Sequence, residues 1–213
     1  MAVDRFDVAF EGKSFTKPLT DFHMVTIRPA ELSDAARIAE IYNEAVLHST
    51  ATFDTEVKTA AERMSWLEAH IVDNLPVLVS VQNGIVTGFA ALNRWSTRKA
   101  YDCTAEVSCY MDADYRAKGT GKILLEQIML AGRDAGLHGL IGRITQGNII
   151  SIAMVERLGF SHIGVMREAG MKFGQYLDVH LVQKLLQRLL RKPRFLQPHP
   201  EWRQRLKRLR LRR

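Results

Sequence analysis

A glycine- and lysine-containing segment in the middle of the chain has the composition of a phosphate-binding loop. It reads Arg116-Ala117-Lys118-Gly119-Thr120-Gly121-Lys122. Backbone N–H groups at the start of a helix bind anions, and glycines let phosphates approach closely. The nucleoside-triphosphate loop would need glycine at position 116 and Ser or Thr at 123, and the dinucleotide loop would need glycine at 124, so neither pattern fits. The segment predicts an anion-binding turn, with a plain turn before a helix as the alternative.

Metal and disulfide chemistry have little support in the sequence. The seven histidines show no His-x-x-x-His spacing, and the two cysteines are too few for a four-cysteine zinc site. If Cys103 and Cys109 share one strand, they lie about 20 Å apart, which is too far for a disulfide. No metal is therefore expected, and free thiols fit a reducing, cytoplasmic setting.

Hydrophobic periodicity predicts strands and helices that alternate on both sides of the glycine segment. Strands are predicted over residues 25–28, 76–81, 85–92, 103–111 and 140–144, with two more at the end of the domain, and Asn83-Gly84 is a hairpin signal. Helices are predicted from an N-cap at Ser33, from a Thr59–Glu62 capping box, through Leu124 to Met129, and over 150–158 with Gly159 as C-cap. The expected fold is a mixed β-sheet with helices on its faces, of the α/β (α+β) class.

The second predicted helix has a clear buried face. Met64, Leu67, His70 and Ile71 recur along one stripe of it. We therefore expect these four side chains to pack against the sheet.

Charge divides the chain into a body and a basic tail. The 213 residues carry a net charge of +7, yet residues 184–213 hold 12 of the 30 basic residues and only one acid. The other 18 basic and 22 acidic residues leave the body at −4, which is unlike a nucleic-acid-binding domain. We expect an N-terminal arm (1–23), one domain (24–187) and a basic C-terminal tail (188–213).

Trp202, Leu206 and Leu209 recur at helical spacing among the basic residues of the tail. Such a pattern can contact an anionic membrane or nucleic acid, and a solvated terminus is the alternative. The hydrophobic fraction of 46% is that of an ordinary globular protein, and no run approaches 18 consecutive apolar residues, which excludes a spanning helix. The acidic residues near Met1 predict that the chain has no secretory signal.

Together with its surroundings, the glycine segment resembles the acyl-CoA loop of the GNAT superfamily of N-acetyltransferases. Further segments match in order and spacing, namely residues 27–30, 51–56, 101–110, 148–160 and 170–178. Jointly they resemble the phosphinothricin N-acetyltransferase branch, whose relatives acetylate methionine sulfone and methionine sulfoximine. The resemblance spans residues 26–186 and implies a single GNAT-like domain.

The resemblance implies that acetyl-CoA is the acetyl donor and that no metal takes part. The N–H groups of Ala117 to Lys122, with Arg116 beside them, would bind the diphosphate. Backbone groups of Cys109, Tyr110 and Met111 would pair with the pantetheine arm like an added strand, where their strand separates from residues 140–144. Asn148 and Ser151 would hold the arm from the other side, and an N–H of residues 107–109 would face the thioester oxygen.

Glu106 is the candidate general base. An α-amino group with a pKa of about 8 is mostly protonated at pH 7, so a base must free the nucleophile. No other charged residue occurs in the strand segment 103–111, and burial among uncharged residues would make the carboxylate more basic. The alternative is a strand residue that faces solvent.

For the acceptor, the resemblance assigns Arg98, Lys99 and Tyr101 to substrate binding. A cation there would suit a carboxylate or a phosphinate-like group. Phe53 and Tyr176 match positions that wall the substrate pocket in the family, with plain core aromatics as the alternative.

One residue departs from the family pattern. The family usually carries His or Tyr just before Glu156, as a proton donor to the leaving thiolate, and this chain has Val155. Water, Tyr110 or Ser151 would then protonate the thiolate. Because one general acid is worth about 10²- to 10⁴-fold in rate, slower turnover or a shifted substrate is expected, but not loss of activity.

The expected function is acetyl-CoA-dependent N-acetylation of a small amino-acid-like amine of the phosphinothricin, methionine sulfone or methionine sulfoximine type. Two alternatives stay open. One is acetylation of a protein N-terminus or lysine, with the tail as a docking element. The other is a non-catalytic module whose tail binds RNA or a membrane. The resemblance also suggests a homodimer.

Overall fold

A seven-stranded mixed sheet forms the centre of the computed structural model, which describes residues 25–186. Its strands are β1 (Thr26–Pro29), β2 (Val77–Gln82), β3 (Ile85–Arg94), β4 (Thr104–Met111), β5 (Gly139–Thr145), β6 (Ser161–Lys172) and β7 (Gln175–Leu185). The helices are α1 (Ala35–His48), α2 (Ala60–Asp73), α3 (Thr120–Asp134) and α4 (Ile149–Arg157). The spatial order is β1-β2-β3-β4-β5-β7-β6, and only β4 and β5 run parallel among these strands. The predicted mixed α/β fold is confirmed.

Alternate residues of β3 build two cores, one on each face of the sheet. Ala90 and Leu92 belong to a cluster with side chains of α3 and β5, and Phe89 and Ala91 to a cluster with side chains of α1 and α2. All four are at most 1% exposed. Side chains of a strand alternate between its faces, so a strand covered by helices on both sides must be apolar throughout.

Short-range signals predicted several element ends correctly. Thr59 N donates to Glu62 Oε2 at 2.7 Å and Glu62 N donates to Thr59 Oγ1 at 3.2 Å, so the capping box that opens α2 is present. Asn83 and Gly84 both have positive φ, 52° and 78°, as the predicted hairpin requires. These motifs act through neighbouring residues alone, which is why they can be read from the sequence.

The buried stripe predicted for α2 is confirmed at Leu67 and His70 and is wrong at Met64. Met64 is 42% exposed, whereas Arg63, Leu67 and His70 are the buried residues of the helix. Arginine is mostly a surface residue, so a hydrophobic pattern does not indicate that Arg63 is buried. The inward direction of Arg63 becomes important for the functional site.

The parallel contact between β4 and β5 is short. Only Thr104, Ala105 and Glu106 have register partners on β5. Beyond Glu106, β4 keeps its pairing with β3 as far as Met111, while β5 continues beside β7 as far as Thr145. The two strands therefore separate, as the resemblance implied, and one side of residues 107–111 has no neighbouring strand.

The predicted arm (1–23) and basic tail (188–213) lie outside the described residues. Within residues 25–186 no helix combines the length and the apolar character needed to span a membrane. Both cysteines, Cys103 and Cys109, are free thiols.

The start of α1 is fixed by an ion pair and not by the predicted cap. Ser33 lies in a 3₁₀ turn over Leu32–Asp34 that precedes the helix. The Asp34 carboxylate accepts hydrogen bonds from Arg28 at 2.7 and 2.9 Å and from the Glu31 amide at 2.8 Å. Burial opposes ionisation of this carboxyl, but these bonds outweigh it, and the pKa of Asp34 is held below its usual value.

Asp34→Asn is expected to lower the free energy of unfolding at pH 7 by about 1–3 kcal/mol, because it removes a bidentate charged pair. A lowered pKa in the folded state stabilises the protein above the unfolded-state value of about 4, and this contribution disappears as the pH falls through the folded-state value. The free energies of unfolding of the unaltered chain and of Asp34→Asn, measured with urea, should therefore differ at pH 7 and converge below about pH 4. Glu40→Gln is the control, since Glu40 is an exposed partner of Arg37. A gap independent of pH would contradict the assignment.

Candidate active site

A cavity of about 840 Å³ opens where β4 and β5 separate. Six of the residues that the sequence predicts to bind acetyl-CoA, act as base or bind the acceptor line it: Phe53, Glu106, Cys109, Tyr110, Asn148 and Ser151. The others lie outside its lining, namely Met111, residues 116–122, Arg98, Lys99, Tyr101 and Tyr176. The cavity thus unites the candidate base with the strand edge and with the start of α4.

Glu106 is paired with a residue that the sequence did not point to. Arg143 of β5 donates from Nε and Nη2 to the two carboxylate oxygens, both at 2.6 Å. The Glu106 side chain is 18% exposed and that of Arg143 is 51% exposed. The hydrogen bonds to Glu106 raise the pKa of the Arg143 guanidinium. The expectation that Glu106 has only uncharged neighbours is therefore wrong.

The reason for this miss is the strand register. Glu106 lies opposite Ile141, and Arg143 follows two residues later on the same face of β5. The pair spans 37 residues of sequence, so no local pattern could reveal it. On the side of β4 away from β5, Asn93 of β3 donates from Nδ2 to the Ser108 hydroxyl at 3.1 Å.

The inner wall of the cavity is aromatic. The Tyr110 ring lies 5.3 Å from that of Phe89 and 5.0 Å from that of Tyr42, measured between centroids. The Tyr42 hydroxyl donates to Asp54 at 2.9 Å, which attaches the loop containing Phe53 to α1. Burial raises the pKa of Tyr110, so the phenol stays protonated at neutral pH.

Cys109 lies beside this wall but is no nucleophile. Burial raises the pKa of its thiol to about 12, and the reactive species of cysteine is the thiolate.

The glycine segment forms a turn at the N-terminus of α3. Ala117 and Gly119 have positive φ, 60° and 83°, and the helix begins at Thr120. Within the described part of the chain, the backbone N–H groups of residues 117–121 donate to no acceptor. Free amides at the start of a 15-residue helix fit the diphosphate that the resemblance assigns to them.

The three basic side chains of the glycine segment contact different parts of the protein. Arg116 Nε donates to the Met111 carbonyl at 3.0 Å, and Arg116 also pairs with Glu44 of α1. It therefore anchors the end of β4. Lys118 donates to the Asp114 carbonyl at 2.7 Å, and Lys122 pairs with Glu126 at 3.5 Å.

Asn148 and Ser151 meet at the start of α4. The Asn148 side-chain oxygen accepts from the Ser151 amide at 3.2 Å and so caps the helix. The Asn148 side-chain nitrogen makes no hydrogen bond to the described residues and is available to a ligand. Val155 lines the same cavity and is 6% exposed, where it offers no proton.

The residues predicted to bind the acceptor are only partly gathered. Phe53 lines the cavity and lies over Gly170, where an added Cβ would come within 2.4 Å of its ring. Arg98, Lys99 and Tyr101 lie in and beside an exposed turn before β4. Tyr176, on β7, is 69% exposed. The substrate-binding role of all these residues stays a prediction. Arg98, Lys99, Tyr101 and Tyr176 do not line the cavity.

Comparison with known proteins agrees with this arrangement. A family model described as an acetyltransferase (GNAT) domain matches residues 27–181. An L-amino acid N-acyltransferase of Escherichia coli is 38% identical over 159 residues, 75% of this chain and 92% of that protein. An L-methionine sulfoximine/L-methionine sulfone acetyltransferase of Salmonella typhimurium is 37% identical over 159 residues, 75% of this chain and 93% of that protein.

The fold is shared with a solved structure that holds the donor. A GNAT superfamily phosphinothricin acetyltransferase from Sinorhizobium meliloti, crystallised with acetyl-CoA, has a TM-score of 0.75 and 30% identity, covering 82% of this chain and 96% of that one.

Gly119→Val tests the anion-binding turn. A β-branched residue at positive φ costs about 1–2 kcal/mol and distorts the free amides, so coenzyme A affinity measured by calorimetry should fall about 10-fold or more. Gly136→Val is the matched control, because Gly136 has a φ of 95° beyond the other end of α3 and open space around it. Both variants should lose similar stability, but only Gly119→Val should bind coenzyme A weakly. Equal affinities would remove the turn from the binding site.

Proposed function

The chain belongs to the GNAT family of acetyltransferases, and we propose that it transfers the acetyl group of acetyl-CoA to the amine of a small amino-acid-like substrate. The observation that carries this proposal is the separation of β4 from β5 directly after Glu106, which puts a carboxylate beside an unpaired strand edge. The acceptors in the names of its relatives, L-amino acids and methionine sulfoximine or sulfone, support this substrate class.

Acetyl-CoA supplies an activated acetyl group when it is bound. In our proposal the free amides of residues 117–121 hold its diphosphate, as Arg116 keeps the end of β4 in place beside them. The unpaired edge of residues 107–111 pairs with the pantetheine arm, and the free nitrogen of Asn148 donates to it from the start of α4. These contacts orient the thioester towards the Glu106 side of the cavity.

Glu106 takes a proton from the ammonium group of the acceptor. Arg143 occupies one lone pair on each carboxylate oxygen, and a second lone pair on each remains to accept from the substrate. The freed amine attacks the thioester carbon and forms the new C–N bond as the C–S bond breaks. The nitrogen then loses its second proton, which water carries to the leaving thiolate, and Glu106 returns its own proton to solvent. A β4 amide among residues 107–109 stabilises the charge that develops on the carbonyl oxygen.

Protonation of the leaving thiolate receives less help from the protein. Val155 has no proton to give, and the buried Tyr110 phenol releases its proton reluctantly because its pKa is raised. A coenzyme A thiol is a fair leaving group near neutral pH, so water can complete the cycle.

Glu106→Gln is expected to retain coenzyme A binding and to lose about 10²- to 10⁴-fold in kcat at pH 7, because it removes the base and keeps the shape. Thiol release is measured with acetyl-CoA against phosphinothricin, methionine sulfone and methionine sulfoximine. Glu62→Gln is the control, since it makes the same change at the rim of the cavity in a residue that caps α2. Undiminished turnover by Glu106→Gln would remove Glu106 from the mechanism. No release with any of these amines would refute the proposed function.

We further propose that the enzyme is a cytoplasmic homodimer. β6 is a twelve-residue strand at the edge of the sheet, and Ile163, Val165 and Met171 on it are 50%, 40% and 61% exposed. A long apolar edge of this kind is a template for pairing with another chain. Exposed Cys103 as a free thiol fits a reducing compartment. Contact of the basic tail with an anionic membrane or nucleic acid stays a prediction.

Ile163→Glu tests the dimer. Sedimentation of the unaltered chain at micromolar concentration should give twice the chain mass, and the new charge should shift Ile163→Glu towards the monomer. Val72→Glu, on α2, is the control, because Val72 is 59% exposed on a helix away from this edge. A monomeric unaltered chain would refute the dimer.

A further inference from the structure

Arg63 is a buried cation that lines the same cavity. It lies in the first turns of α2, is 8% exposed and faces inward in the row of Leu67 and His70. Arginine is rarely this buried without an anionic partner, because removing a charge from water is costly unless it is paired.

No such partner is present among residues 25–186. The Arg63 side chain makes no ion pair and no hydrogen bond to the described residues, and its Nε is buried without an acceptor. Its contacts are aromatic, with the guanidinium carbon 3.8 Å from the ring centre of Tyr42 and 5.1 Å from that of Trp66. Stacking on ring faces leaves the N–H groups at the edge of the guanidinium free to donate.

The nearby carboxylates are engaged elsewhere. Asp54 accepts from the Tyr42 hydroxyl at 2.9 Å and pairs with Lys58 at 3.4 Å. Glu62 is bound to Thr59 in the capping box. The partner of Arg63 must therefore come from outside residues 25–186.

Arg63 and Glu106 line the same cavity, together with Tyr110. An acceptor molecule that fills this cavity meets both the Glu106 carboxylate and the unpaired guanidinium of Arg63. This polarity matches a molecule with an amine and an oxyanion.

We propose that Arg63 binds an oxygen-bearing group of the acetyl acceptor, an inference that rests on the proposed function. Two groups of an amino-acid-like acceptor accept hydrogen bonds through paired oxygens: the anionic α-carboxylate, and the side-chain oxygens of a neutral sulfone or an anionic phosphinate. A planar guanidinium held by two rings can receive either group with two parallel hydrogen bonds. Arg98 and Lys99, the cations expected from the sequence, do not line the cavity.

Three acceptors separate these sources. L-Methionine sulfone carries both groups, L-norleucine lacks the side-chain oxygens, and 3-(methylsulfonyl)propylamine lacks the carboxylate. Arg63→Met keeps the apolar stem and should lower kcat/KM about 10- to 100-fold, mainly through KM, for every acceptor that has the bound group. If the carboxylate is bound, the first two lose activity and the third does not. If the sulfone is bound, L-norleucine is the one spared.

Arg94→Met is the matched control, because Arg94 lines the same cavity but is already paired with Asp73 and Asp102. It should leave the ranking of acceptors unchanged. Coenzyme A affinity by calorimetry and thermal unfolding report whether Arg63→Met folds. If Arg63→Met does not fold, Arg63→Lys is used instead. It keeps the positive charge but lacks the two parallel N–H donors of the guanidinium, so it should raise KM selectively for the same acceptors.

An equal loss, or none, with all three acceptors would overturn the inference and leave Arg63 a packing residue. The same selective pattern in Arg98→Met instead of Arg63→Met would also overturn it. If the unaltered enzyme releases no thiol with any of the three, the proposed function itself fails, which is a distinct result.

Discussion

The loss of pairing between β4 and β5 after Glu106 is the constraint on which the rest of the site depends. Unpaired backbone groups inside a sheet are costly, so each strand must be held firmly from its other side. β4 pairs with β3 as far as Met111, and Gly88 leaves room there, since a Cβ would come within 2.3 Å of the Met111 sulfur. β5 pairs with β7 as far as Thr145. The pairing with β3 and β7 thus fixes the opening, and a ligand can form the backbone hydrogen bonds that β4 and β5 do not make with each other.

The same opening arranges the charges. Glu106 is the last residue of β4 that pairs with β5, and Arg143, two residues beyond its register partner, binds the carboxylate. This pair is neutral as a unit, whereas Arg63 remains a lone cation at the aromatic wall. Before the reaction the acceptor carries an ammonium group, which suits Glu106, and an oxyanion, which suits Arg63. The cavity is therefore complementary to a zwitterion more than to a simple amine.

The sequence was sufficient for features that act over a few residues or that repeat along an element. The capping box at Thr59, the hairpin at Asn83-Gly84 and the turn before α3 are of this kind. Arg143 could not be predicted, because its distance from Glu106 is a property of strand register. Arg63 was missed for another reason. The buried positions Leu67 and His70 of its helix could be predicted, but a polarity pattern places arginine at the surface. Only the structure shows that the Arg63 side chain is buried and that it has no anionic partner among the described residues.

The burial that shapes this cavity also decides which half of the reaction the protein assists. Desolvation keeps the Tyr110 phenol and the Cys109 thiol protonated, and Val155 in the cavity lining has no proton to give. Groups that release protons easily are therefore scarce at the site of the leaving sulfur. On the acceptor side, Arg143 holds the carboxylate of Glu106, the proposed base, in one orientation. A thiolate leaves readily near neutral pH, whereas an ammonium group cannot attack at all, so the proposed base assists the step that most needs help.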